Sequence, residues 1–225
     1  MECGRGGAVF PTVGPAVFRY GSLSSKGARS VAKVAVTGLG LCFHAAVKSE
    51  SVSGANVPSS VRQRADRDLS DCVRVLAEVH EHDGYPVNWP DRPSTWLTPT
   101  SLIASWVAEL DGRIVGHIGL SRSEAGDAAP GLWSARAGVS IKATAVVNRL
   151  FVAPSARGHG VGALLVAQAV AEARDRGLHP VLDVVASDAA AAALYERLGW
   201  LLLATVEQQW SPEQKVAVRC YAAAT

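Results

Sequence analysis

The chain has 225 residues, 48% of them apolar and 19% charged, which is enough for one sizeable core. A net charge of +2 with no basic cluster argues against a nucleic-acid partner, and the lack of any run of 18 apolar residues argues against a membrane span. Four scattered cysteines (Cys3, Cys42, Cys72, Cys220), with no C-x-x-C pair, argue against a disulfide framework or a zinc site and suit a reducing cytoplasm.

The charge is unevenly spread: residues 1–60 carry six Lys/Arg and two Glu, so the remainder is net −2. The opening is rich in Gly, Ser, Ala and Val and keeps no period of 2 or 3.6. "KVAVTGLGLCFHAAV" (33–47) resembles a signal h-region, but two glycines and His44 interrupt it. Residues 1–58 therefore read as a poorly ordered or leader-like extension, or as a start codon placed too far upstream. A folded domain is expected over 59–225.

From Val61 the pattern becomes regular. "SSVRQRADRDLSDCVRVLAEVHEHDG" predicts a short strand and then a helix, with Asp66 and Asp68 as candidate N-caps. Leu69, Cys72, Val73, Leu76, Val79 and His80 keep helical spacing up to Gly84. "SLIASWVAELDGRIVGHIGLS" predicts two strands joined at Asp111-Gly112, a strong hairpin signal. A loop is expected over 122–140, then the strand "KATAVVNRLFV". Next come a helix stopped at Gly177, a buried strand over 180–185 and an Ala-rich helix over 188–198. Strands over 200–209 and 215–222 close the chain. The mixture indicates one α+β (mixed α/β) domain.

"LFVAPSARGHGVGALL" (150–165) carries the chemistry. A strand hands over to a helix through Gly158, Gly160 and Gly162, with Arg157 at the turn. The first amides of a helix have no partner inside it and carry partial positive charge, so this arrangement can cradle phosphate. A P-loop would need Gly-Lys-Ser/Thr, whereas Ala163 follows Gly162, and "GHGVGA" does not satisfy G-x-G-x-x-G. A tight connection without a ligand is the alternative reading of the glycines alone.

R-x-x-G-x-G (Arg157, Gly160, Gly162) after "LFVAP" resembles the acetyl-CoA signature of the GNAT N-acetyltransferase family. "VLDVVASDAAAAALYERLGW" (181–200) is similar to that family's second segment, in the right order and spacing. The resemblance spans about residues 60–222. It implies a central mixed, mostly antiparallel sheet with a splayed strand pair, flanked by helices.

It further implies an enzyme that moves acetyl from acetyl-CoA to a small-molecule primary amine by direct attack, with no metal. Phe151 and Val152 would pair with the pantetheine arm, and the backbone of Arg157, Gly158, His159, Gly160, Val161 and Gly162 would hold the diphosphate. Tyr195 would protonate the departing thiolate, unless it is simply a core aromatic at the end of its helix. The location implied is cytoplasmic, and a homodimer is compatible with it.

The sequence departs from the family in two places. Asp188 stands where Asn is usual, and it can cap the following helix or contact the cofactor. Val146-Val147-Asn148 offers no carboxylate where many members carry a Glu base. Candidates for that role are Glu81, His82, Asp83, Glu109 and His117, although each also fits an ordinary surface or core position. The missing carboxylate favours the alternative of a non-catalytic acyl-CoA-binding module. Tyr85, Trp89, Trp96 and Trp210 are candidate walls for the acceptor amine, or simply aromatics that close the core.

Overall fold

The hairpin at Asp111-Gly112 forms as its chemistry requires. Both residues take positive φ (50° and 73°), which matches a tight turn to the twist of the flanking strands β2 (Leu102–Leu110) and β3 (Arg113–Arg122). The computed structural model describes residues 60–124 and 126–224, so the expected extension over 1–58 lies outside the described residues.

The other elements are β1 (Ser60–Gln63), α1 (Leu69–Asp83), α2 (Pro93–Leu97), α3 (Ala128–Ala137), β4 (Thr144–Val152), α4 (Val161–Asp175), β5 (His179–Val185), α5 (Ala189–Arg197), β6 (Leu201–Ser211) and β7 (Gln214–Ala222). They build a seven-stranded sheet in the order β1-β2-β3-β4-β5-β7-β6. Every adjacent pair is antiparallel except β4 with β5. This is the mixed, mostly antiparallel sheet that the sequence implied.

Helix α1 buries Cys72, Val75, Leu76 and Val79, the i, i+3, i+4, i+7 face of its pattern, and ends at Gly84 with φ 73°. Asp68 precedes it, but its carboxylate does not cap the helix. It accepts the Ala65 amide at 2.7 Å and two bonds from Arg62, at 2.6 and 3.0 Å. Arg62 also binds Glu109 of β2, so one guanidinium ties β1, the root of α1 and β2 together. Asp66 stays exposed.

The loop expected over 122–140 instead contains α3. Pro130 and Gly131 obscure its pattern, and tertiary contacts hold it in place. Asp183 of β5 accepts the Ala129 amide at 3.1 Å, and Trp133 stacks on His179 with centroids 3.9 Å apart.

Three apolar clusters follow. One lies between the sheet and α4 and α5, and includes Ile118, Leu120, Leu165, Leu182 and Tyr221. On the other face, α1 and α2 cover β2 to β4 around Val107, Ile114 and Phe151, while α3 covers β5 to β7 around Val181, Val218 and Cys220. Between these last two layers runs a seam.

Candidate active site

Strands β4 and β5 pair only from Thr144–His179 to Val146–Val181. β5 keeps β7 as a partner as far as Val185–Val218, so beyond Val146 the edge of β4 that faced β5 is open. A bulge sharpens the divergence, because Arg149 and Leu150 together oppose Ile118. Arg149 sits there at φ 51°, a left-handed conformation that costs a side-chain-bearing residue roughly 1–3 kcal/mol.

Fully buried His117 supports the bulge. Its Nε2 lies 3.3 Å from Nη1 of Arg64, which can only donate, so the ring proton sits on Nδ1 and is donated to the Arg149 carbonyl at 3.0 Å. Phe151 stacks on the imidazole, 5.2 Å between centroids. The Ala153 amide donates to Val115 at 2.7 Å; ladder alternation then turns the Phe151 backbone toward β3 and the Val152 backbone toward the open edge. The Val152 carbonyl accepts from Arg157 Nε at 3.2 Å.

The open edge leads into the glycine turn. Gly158 and Gly160 have φ of 79° and 76°, and a Cβ on either would meet nothing within 4 Å. The backbone there is strained for any other residue, and open space lies above it. Gly160 is the N-cap of α4, and no side chain accepts from the first amides of that 15-residue helix. Gly162 differs from them: it has ordinary helical φ, and a Cβ there would lie 3.3 Å from the Leu194 side chain, so a larger residue would have to displace that side chain slightly.

The Arg157 guanidinium is already engaged. Nη1 donates to Asp83 Oδ1 at 3.0 Å and Nη2 pairs with Oδ2, which holds the Asp83 carboxyl down at about 2. The polar groups the turn leaves unpaired among the described residues are therefore backbone amides and the buried Nδ1 of His159.

On the α5 side, Asp188 Oδ1 accepts the Ala191 amide at 2.9 Å and caps the helix. Tyr195 is 5% exposed and packs against Trp200 and Tyr221, with centroids 5.5 and 6.1 Å away. Its hydroxyl has no hydrogen-bond partner among the described residues. Burial, reinforced by Tyr85 and the Asp188 carboxylate, pushes its pKa well above the ordinary tyrosine value. The phenol stays protonated and available as a donor.

On the opposite face, the seam opens into a cavity of about 380 Å³ whose walls include Ser101, Ser121, Arg122, Asp127, Asn148 and Arg149. Asn148 Nδ2 donates to Ser121 Oγ at 2.9 Å, and its Oδ1 occupies the space that Gly119 leaves, 2.6 Å from where a Cβ would stand. The Arg149 guanidinium lies 4.8 Å over the Trp96 ring, and Tyr85 meets the edge of that ring at 6.3 Å. Asn88 Nδ2 donates to Gln214 Oε1 at 3.1 Å, which joins the α1–α2 connection to the final hairpin.

Of the four aromatics expected as walls, Tyr85 and Trp96 come together. Trp89 packs on His80 at 5.1 Å, and Trp210 is exposed and donates to Gln208 at 3.0 Å. Three of the five expected bases are otherwise occupied. Burial holds His117 neutral, its pKa lowered to about 3, and both ring nitrogens are engaged. Glu109 is bound by Arg62, and Asp83 by Arg157. Glu81 and His82 line a separate depression of about 420 Å³ beside Pro154 and Ser155.

Most of the cavity lining lay outside the expectations, Arg149 and Asp127 included. Neither of these two carries a local signal: the bulge that places Arg149 is a relation between two strands, and Asp127 lies in a segment that reads as a loop. Burial raises the Asp127 pKa, and Oδ2 of that carboxylate accepts the Glu124 amide at 2.8 Å. No group of three or more His, Cys, Asp or Glu among the described residues could hold a metal, and no described helix is long and apolar enough to cross a membrane.

A family model described as the acetyltransferase (GNAT) family matches residues 67–200. Among solved structures, the chain is similar to the ribosomal-protein-alanine N-acetyltransferase of Brucella melitensis at 20% identity, with a TM-score of 0.56 over 74% of this chain and 99% of that one. It is also similar to yncA of Salmonella typhimurium, a putative acetyltransferase solved with its cofactor acetyl-CoA, at 19% identity and TM-score 0.53, covering 72% and 91%. A GCN5-related N-acetyltransferase of Kribbella flavida gives 20% identity and TM-score 0.54, covering 74% and 97%. At such identities the likeness establishes the fold alone. No curated protein matches.

Proposed function

The chain belongs to the GNAT family of acetyltransferases, and on that premise we propose that it transfers acetyl from acetyl-CoA to a primary amine by direct attack. The observation that carries this reading is the continuity of the open β4 edge with the uncapped start of α4. The residues present fit the co-substrate. Gly158 and Gly160 leave room for a diphosphate against the backbone, and Val152 turns its amide toward the gap where a pantetheine would lie.

In this reading the backbone from Gly158 to Val161 holds the diphosphate, since the Arg157 amide donates to the Pro154 carbonyl at 3.4 Å, and Val152 pairs with the pantetheine. Phe151 supports the bulge from the β3 side rather than contacting the arm. Arg157 orients the turn through Val152 and Asp83, and Asp188 sets the start of α5.

A thioester threaded through the gap meets Tyr195 from the α4–α5 face and the polar cavity from the other. The amine nitrogen, entering from the cavity, forms the new C–N bond as the C–S bond breaks. Tyr195 gives its proton to the sulfur. Asp127, made more basic by burial, takes the proton that the amine loses. The two proton transfers occur on opposite sides of the sheet, so neither group must change role within a turnover.

Incubation with acetyl-CoA and a panel of primary amines, reading free thiol, tests the proposal. Amine-dependent thiol release is the expected result. CoA binding without thiol release from any amine would contradict it.

A further inference from the structure

Arg149 is a cation without a counter-ion. Among the described residues, the ion pairs of arginine involve Arg62, Arg74, Arg157 and Arg176, and none reaches Arg149. Its Nε is buried and has no hydrogen-bond partner among the described residues. A half-buried guanidinium with an unmet donor is costly, and here it is held in a strained backbone conformation as well. Three contacts fix the arrangement: His117 on the Arg149 carbonyl, Trp96 under the guanidinium and Tyr85 at the Trp96 edge. Surroundings that hold a cation this firmly without pairing it point to a ligand anion.

The cavity supplies the rest of the description. Arg149 shares it with exposed Arg122 and with the carboxylates of Glu124 and Asp127, neither of which forms an ion pair with Arg149. A volume of about 380 Å³ suits a small molecule. Cation and carboxylates in one small polar cavity are complementary to a ligand that carries both an anion and an amine. A planar guanidinium matches a carboxylate through two parallel hydrogen bonds.

We propose that Arg149 binds the carboxylate of the acceptor, so that the substrate class is small amines that also bear a carboxylate, of the amino-acid type. This inference rests on the acetyl-transfer reading for the word acceptor, but the binding site is defined by the cavity alone. Arg149 then serves as a specificity-determining residue: it orients the acceptor so that its amine points toward Asp127 and the gap.

Saturation-transfer NMR on the full chain, saturated with CoA, tests this without requiring turnover. The probes are the common amino acids, each offered as the free carboxylate and as the matched carboxamide. At least one carboxylate should bind tenfold or more tightly than its carboxamide. Arg149→Met should abolish that preference, and Arg149→Lys, which keeps the charge but not the fork, should retain part of it. CoA affinity, measured by calorimetry, should be unchanged in both variants.

Equal binding of the two forms, no carboxylate binding at all, or a preference that survives in Arg149→Met would each overturn the proposal. If Arg149→Met does not fold, the wild-type comparison and Arg149→Lys decide. Failure of the wild type to bind CoA would count instead against the acetyl-transfer reading.

Discussion

The two sides of the gap are built by different means. The proposed donor side, from Val152 through Gly160 into α4, presents mainly backbone, and its glycines supply conformation and room. The proposed acceptor side presents side chains carried on the α1–α2 connection, the ends of β3 and β4, and the start of α3. A backbone site is encoded in one continuous stretch, because consecutive amides can serve one ligand. A side-chain site is assembled from distant segments, so it can change its substrate while the donor side stays fixed.

If that division is correct, damage to each side should have separable consequences. The largest effect is expected from Gly160→Val, which demands positive φ of a β-branched residue and fills the open space over the turn. CoA binding should be lost in calorimetry, while carboxylate-bearing amines still bind as they do to the wild type when both are measured by NMR without CoA. Loss of both would erase the division.

Tyr195→Phe comes next. It keeps the ring against Trp200 and Tyr221 and removes only the hydroxyl. Turnover should fall by ~10²–10⁴, the usual worth of a positioned acid. CoA affinity and acceptor KM should be nearly unchanged, and a change confined to KM would return Tyr195 to a structural role.

On the acceptor side, Asp183→Ala removes the carboxylate that holds the start of α3. Leaving that buried amide unpaired should cost about 1–3 kcal/mol of stability in urea unfolding. Acceptor KM should rise while CoA affinity stays constant. A parallel loss of CoA affinity would show that α3 supports both sides.

The smallest effect concerns acid. Arg62 holds the Asp68 carboxyl down at about 2, below its unfolded value of ~3.9. The stabilisation is therefore complete above about pH 4 and is lost as pH falls through about 2, leaving the protein roughly 1–2 kcal/mol less stable. Because this clamp roots α1, hydrogen exchange in acid should rise in α1 before α4. Loss of protection in α4 first would contradict that order.

The same division explains what could be read from the sequence. The hairpin, α1, α4, α5 and the glycine turn were legible because local chemistry fixes each: Asp111-Gly112 sets the turn, and Cys72, Val75, Leu76 and Val79 mark one helical face. Helix α3 was not legible, because Pro130 and Gly131 break its pattern and Asp183 and Trp133 hold it through tertiary contacts. Gly162 stands with Gly158 and Gly160 in the sequence, and only the fold shows that it also faces Leu194 of α5. His117 read as a candidate base, because only the fold reveals the Arg64 and Arg149 contacts that occupy its ring. Arg149 was hidden for a related reason: a bulge is a relation between two strands, and the sequence lists only one of them at a time.

The claim that binding on the donor side is carried by backbone is tested most directly by amide hydrogen exchange of the full chain with and without acetyl-CoA. The account predicts added protection at the amides of Val152 and of residues 158–163, with little change at 126–137. Protection confined to the cavity around Asn148 and Arg149, or none at the glycine turn under saturating acetyl-CoA, would contradict it.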